Sequence, residues 1–315
     1  SPLQAMLQET KGWDPAAYGT YQGSETFLNV FVFFLIFAGI ILDKIGVRNT
    51  ALLSGALMVI GAYLKYWAVS DGFTGGATDE YLKNFWNFFP FYEGMPSSAK
   101  MAALGFMIFG CGVEMAGITV SKGIVKWFKG KEMALAMGLE MATARIGTML
   151  AMAVTVPIAT FFGTTLSDGT FKPNIPAPIL LCLIMLCIGT IAFFIYTFID
   201  KKLDTQLDED GEEEEPFRAK DIFSIMSNKG FWLIALLCVL FYSAVFPFLK
   251  YATDLMIQKY NVDPSLAGTI PSLLPLGTLF LTPFFGNLYD RIGKGATLMV
   301  IGSVLLICGH LLFTL

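Results

Sequence analysis

Long apolar runs dominate this chain, at residues 24–42, 50–69, 101–121, 134–162, 177–199, 230–258, 267–288 and 296–315. Each is near the roughly 20 residues that carry an α-helix across about 30 Å of hydrocarbon. Charged residues make up 15% of the chain and hydrophobic residues 55%, with a mean hydropathy of +0.63. A soluble domain carries about 25% charged residues, so the bilayer is the solvent here. Lipid offers no hydrogen-bond partners, and each run is therefore read as a helix that satisfies its own backbone. The fold class is all-α integral membrane. Run 230–258 is long for one crossing and contains Pro247, which predicts a single kinked, tilted helix.

Orientation follows from Lys and Arg, which accumulate in cytoplasmic loops. Connections 43–49, 122–133, 200–229 and 289–295 are rich in both, while the alternate connections hold only Lys83, Lys100, Lys172 and Lys259. The net charge of -4 comes mostly from the block Asp208 to Glu215, so it gives no reason to expect nucleic acid. That block reads as a solvated cytoplasmic linker over 200–229. Phe217, Ile222, Phe223, Ile225 and Met226 predict a short amphipathic helix within it, lying on the membrane surface. The five cysteines fall inside apolar runs without metal-ligand spacing, and no metal or cofactor is expected. The chain opens at Ser1 without a signal-peptide pattern, and both ends are read as cut.

An internal repeat organises the runs. Gly39, Asp43, Lys44 and Gly46 recur as Gly286, Asp290, Arg291 and Gly293, an offset of 247 residues, and Asp14-Pro15 with Gly19 recurs as Asp263-Pro264 with Gly268, an offset of 249. Glycines 39 and 286 permit close helix approach, and glycines 46 and 293 permit a tight turn. Asp43 and Asp290 can accept charge-assisted bonds from basic neighbours. Arg48 follows the first copy, whereas Gly295 stands at the matching place in the second.

This doubled G-x-x-x-D-[RK]-x-G loop resembles the signature of the major facilitator superfamily. The resemblance implies two six-helix halves that rock around a midplane site, with the loops acting as a conformational latch. Laid on that frame, the chain is truncated, holding helices 2 to 9 of an expected 12. The expected division is 1–199, an N-terminal half lacking helix 1; 200–229, the linker; and 230–315, the first three helices of the C-terminal half.

Ionisable residues at membrane depth are the best functional pointers, since each is costly unless it meets a partner or a wet cavity. Glu114 and Arg145 fall at similar depths on successive helices. They can neutralise one another, or they can receive the ammonium and carboxylate of a zwitterionic substrate. Glu25 and Lys65 lie toward the outer ends of their helices, where snorkelling or pairing is expected. Lys250 and Asp254, four apart beyond Pro247, form a local pair or belong to an outer gate. His310 is read as a packed helix residue or a proton carrier. Tyr242 and Phe246 share a face and either line the cavity or pack against helices.

The stretches around Gly110 to Glu114, Val125 to Glu132, Met141 to Gly147 and Phe241 to Phe248 resemble, more narrowly, the branch containing the lysosomal dipeptide uniporter. That resemblance implies transport of short peptides, with Glu114 and Arg145 holding opposite termini. Glu140 departs from the branch, which has an uncharged polar residue there, and it can compete for Arg145. The branch also uses an accessory glycoprotein, for which this sequence shows no equivalent.

The function expected is alternating-access transport, by uniport or proton coupling, of a short peptide or amino-acid-like zwitterion. One alternative is a carrier of small organic anions such as monocarboxylates, with Arg145 as anchor and Glu114 or Glu140 as proton carrier. A second is a non-transporting membrane sensor or scaffold. An enzyme is not expected, because no nucleophile constellation, phosphate loop or metal cluster is present. The expected setting is multi-pass, in a bacterial inner membrane.

Overall fold

A computed structural model describes residues 3–85, 92–128, 133–167, 169–207, 226–292 and 294–314, with the side chains at 84, 133–135, 203–207, 265, 283, 286, 287 and 289–292 excluded. Helices account for nearly all of it: α1 (Gln4–Lys11), α2 (Pro15–Phe31), α3 (Phe34–Val69), α4 (Ala77–Asn84), α5 (Ser97–Trp127), α6 (Met133–Phe161), α7 (Pro176–Leu207), α8 (Lys229–Gln258), α9 (Pro264–Ala267), α10 (Thr269–Ile292) and α11 (Gly295–Thr314). One small departure from all-α is the antiparallel pair β1 (Thr164–Thr165) and β2 (Phe171–Lys172) after α6. Both Asp-Pro markers start helices. Asp14 caps α2 by accepting from the Ala17 N–H at 2.6 Å, with Pro15 at the first helical position, and Asp263-Pro264 opens α9.

Among the described residues, six helices are long and apolar enough to cross a bilayer, against eight apolar runs. The difference is local. Helix α3 joins two helices across a kink at Gly46, whose φ of 76° and ψ of 168° leave helical geometry. As one rod its 36 residues would measure about 54 Å, far more than one crossing needs. Run 267–288 lies in α10, where Thr269–Thr282 is the described apolar stretch.

Several boundaries differ from expectation. Run 24–42 is broken, because α2 ends at Phe31 and Phe33 turns to φ 54° before α3 begins. Val30 to Phe34 is an unbroken run of β-branched and aromatic residues, which favour the helix less than straight chains do. Helix α5 exceeds the expected 101–121 at both ends, and α7 continues past 199 to Leu207. The segment carrying Phe217, Ile222, Phe223 and Ile225 lies outside the described residues. Pro247 sits inside α8, which continues from Lys229 to Gln258.

The helices form two compact units, 1–133 with 154–219 and 134–153 with 220–315. In the first, α3 packs on α5 and α7, and α2 packs on α5. Helices α2 and α5 run parallel and in register. Trp13 Nε1 donates to Ser98 Oγ at 2.9 Å at their N-terminal ends. Twelve residues further along both, Gly110 meets Glu25 so closely that a β-carbon would overlap the Glu25 carbonyl oxygen. A β-carbon on Gly61 of α3 would stand 2.5 Å from the Gly105 carbonyl of α5. Helices in lipid gain little from hydrophobic association, so such backbone approach supplies the van der Waals contact.

The Trp13 end is roofed by α1, α4 and their loops, with Trp13, Tyr18 and Phe73 fully buried. Lys100 caps α4, its Nζ donating to the carbonyls of Leu82 at 3.0 Å, Lys83 at 3.3 Å and Phe85 at 3.0 Å. Asp79 accepts from the Ser97 hydroxyl and from the Gly75 N–H at 2.7 Å. The Ser97 bond, then the Gly75 bond, hold its carboxyl below the usual carboxylate range.

In the second unit α8, α9 and α10 pack together. The Phe248 ring of α8 meets Phe313 of α11 at 4.9 Å and His310 edge-on at 5.9 Å. Lys259 Nζ and Tyr260 OH both donate to the Phe313 carbonyl.

Candidate functional site

Glu114 lies near the middle of α5, 17 residues from Ser97 and 13 from Trp127, or about 26 Å and 20 Å along the helix. It is half-buried, on the same face as Gly110 by its i, i+4 spacing. That face meets α2, and Glu25 of α2 lies within electrostatic range of Glu114. Lys65 of α3, expected to snorkel or pair, places Nζ 4.0 Å from the Phe106 ring centre and 4.8 Å from Phe109. This cation–π seat lies about 12 Å from Glu114 along α5, toward the Trp13 end. Tyr21 stacks on Phe106 at 4.9 Å and meets Trp13 edge-on at 5.3 Å. An aromatic layer thus separates the carboxylates from the roof. Among the described residues, Glu114 and Glu25 bring two carboxylates within electrostatic range of one another where α5 meets α2.

Asn29 Oδ1, on the stretch of α2 that leads to Phe31, is buried without a hydrogen-bond partner. An amide within an apolar run was the available signal.

Glu140 and Arg145 lie on the part of α6 in the second unit, Glu140 half-buried and Arg145 exposed. Five residues apart, they lie about 140° from one another around the helix axis. Glu114 belongs to the first unit. On α8, Tyr242 and Phe246 stack with ring centres 5.0 Å apart and planes 18° apart, both exposed. Lys250 and Asp254 follow one turn apart, half-buried.

At the Gly46 end, Asp43 accepts from Lys122 Nζ of α5 at 3.0 Å, while Lys44 is exposed. The positive φ of Gly46 makes the turn between the two parts of α3. Gly39 has open space about its β-position among the described residues, where close approaches fall at Gly61, Gly105 and Gly110. Arg48 Nε stands 3.7 Å from the carboxylate of Asp200 on α7. Asp200, 1% exposed, also accepts from Lys126 Nζ at 2.9 Å, Trp127 Nε1 at 3.0 Å and Tyr196 OH at 2.9 Å. It joins α3, α5 and α7, whereas its sequence position suggested the start of a linker. The second loop copy falls at the end of α10; the side chains of Gly286, Asp290 and Arg291, and all of Gly293, lie outside the described residues.

A family model of the Major Facilitator Superfamily matches residues 1–315. The chain belongs to the major facilitator superfamily. Within the superfamily it is similar to the Danio rerio protein named lysosomal dipeptide transporter MFSD1, 25% identical over 316 residues, covering 98% of this chain and 61% of that protein. The Gallus gallus protein of the same name is 28% identical over 210 residues, 66% of this chain and 47% of its own length. The Homo sapiens protein is 25% identical over 222 residues, 70% of this chain and 47% of its own length. The chain thus spans about half to three fifths of these relatives. No solved structure matches it. Membership in the superfamily makes this a multi-pass membrane protein of a transporter family.

Proposed function

We propose that the full-length protein is an alternating-access transporter of short peptides or amino-acid-like zwitterions. Glu114 receives the substrate ammonium, and Arg145 its carboxylate. The observation that carries this reading is the mid-helix carboxylate of Glu114, beside Glu25, at a depth where an unpaired charge is costly. The names of the relatives, which are dipeptide transporters, support it. Tyr242 and Phe246 form an aromatic platform suited to the apolar part of a substrate. In this reading 1–199 and 230–315 belong to the two rocking halves, and the Gly46 end faces the cytoplasm. There Asp43 with Lys122, and Arg48 with Asp200, hold the helices of the first half together as it moves.

Uptake of radiolabelled dipeptide by the full-length protein in proteoliposomes tests the reading. Glu114→Gln and Arg145→Ala each abolish uptake, and a monocarboxylate lacking an amine fails to compete. Undiminished uptake in both variants would overturn the assignment. Uptake measured with and without an imposed pH gradient separates uniport from proton coupling. The membrane expected from the sequence is a bacterial inner membrane, whereas the relatives carry a lysosomal name; imaging a fluorescent fusion of the full-length protein checks the assignment.

A further inference from the structure

The parallel register of α2 and α5 places one more polar group beside Glu114. The pairs Trp13–Ser98 and Glu25–Gly110 are separated by the same twelve residues in both helices. Four residues beyond the second pair, Asn29 on α2 and Glu114 on α5 come to the same depth, about 6 Å further along each helix. Azimuth agrees with depth. Tyr18, Gln22, Glu25 and Asn29 form one stripe at the helical period, in which Tyr18 is fully buried and Gln22 is 8% exposed. Glu25 in this stripe meets Gly110, and Gly110 and Glu114 share a face of α5. The members differ in how they are satisfied. Gln22 Nε2 donates to Tyr18 OH at 2.6 Å, while Asn29 Oδ1 is buried with no partner. An orphan acceptor of this kind is costly until a donor reaches it.

We propose that Asn29 is a substrate-binding residue whose Oδ1 accepts a hydrogen bond from the same protonated primary amine that Glu114 holds. This rests on the reading of Glu114 as the ammonium site. An alkylammonium carries three N–H donors; the Glu114 carboxylate takes one, Asn29 Oδ1 a second, and Glu25 supplies a further negative charge nearby. The site therefore selects a free amine with at least two N–H donors directed to α2 and α5. A carboxylate or an N-acylated peptide, whose amide nitrogen is uncharged and carries one N–H, loses both the charge and the second bond.

The test uses the full-length protein with Asn29→Leu, a substitution of similar size that removes the buried orphan. In proteoliposomes with alanyl-alanine as the probe, Asn29→Leu raises KM about tenfold to a hundredfold, the worth of a hydrogen bond to a charged group. Maximal rate changes little. Its melting temperature without ligand is equal to the parent's or higher, because an unsatisfied acceptor has been removed. Stabilisation by alanyl-alanine is lost, while N-acetyl-alanyl-alanine fails to stabilise either protein. An unchanged KM for alanyl-alanine in Asn29→Leu, with Glu114→Gln inactive, overturns the role of Asn29 and leaves the Glu114 reading standing. A fall in ligand-free melting temperature shows that Asn29 has a protein partner and likewise overturns it. Full activity of Glu114→Gln removes the underlying reading itself.

Discussion

Replacing Gly110 with alanine should damage this protein even though alanine is the better helix former. In a helix interior the change from glycine to alanine is worth roughly 0.5–1 kcal/mol in favour of alanine. At Gly110 the added carbon overlaps the Glu25 carbonyl oxygen, whereas a carbon rests comfortably at about 3.3 Å or more from such an oxygen. The obstacle is backbone, not the tip of a flexible side chain, so α2 and α5 must separate. Overpacking of this kind costs about 1–3 kcal/mol, and the absence of any yielding neighbour puts Gly110 at the upper end. The clash therefore exceeds the propensity gain by about 2 kcal/mol, and the melting temperature falls by roughly 4–8 °C. Because the separation opens between Glu25 and Glu114, dipeptide uptake falls as well. Gly117, on the same helix with open space around its β-position among the described residues, is the control, and Gly117→Ala leaves the melt unchanged or slightly higher. Thermal melts of the purified full-length protein read both. If Gly110→Ala melts with the parent, or if Gly117→Ala falls as far, the close approach of α2 and α5 at Glu25 is refuted.

Asp79 gives a pH dependence at the Trp13 end. Its folded carboxyl titrates below its unfolded value of about 3.9, so its contribution is complete above that pH and is lost as pH falls through the folded value. Asp79→Asn should flatten the acid limb of the melting profile below about pH 4, and an unchanged limb rejects the Ser97 and Gly75 bonds as its cause. Asp200→Asn leaves Lys126 and Arg48 facing a neutral amide, and breaking a buried pair in this way costs about 3–5 kcal/mol. Half-exposed Arg48 can turn to water, which brings the expectation to about 2 kcal/mol, measured as a lower melt that Asp200→Glu partly restores. Lys100→Met keeps the stem of the side chain but frees three carbonyls at the end of α4. Limited proteolysis between residues 77 and 85 should then speed up several-fold with little change in the global melt.

Most of the fold was legible one segment at a time. A helix in lipid satisfies its own backbone whatever its neighbours do, so hydropathy alone marked the apolar segments, while the Asp-Pro pairs, read only as repeat markers, turned out to start α2 and α9. The turn at Gly46 and the bond of Asp43 with Lys122 were legible for the same reason, since a glycine that must turn and an acid that needs a cation are local requirements. Glu114 also stood out, being a charge where local solvation forbids one. Less was legible where a residue's meaning depends on what faces it. Asp200 reads as linker in the sequence, and only Lys126, Trp127 and Tyr196 around it make it a buried anchor.

The sequence by itself thus determined that this chain crosses the membrane repeatedly, repeats its loop, and keeps a few charges at depth, because each of those is decided between one segment and its solvent. Only the tertiary structure decided that α2 and α5 run in register from Trp13–Ser98 through Glu25–Gly110. Register and azimuth are properties of two helices at once, set by where glycine lets one backbone reach the other, and no single segment carries them.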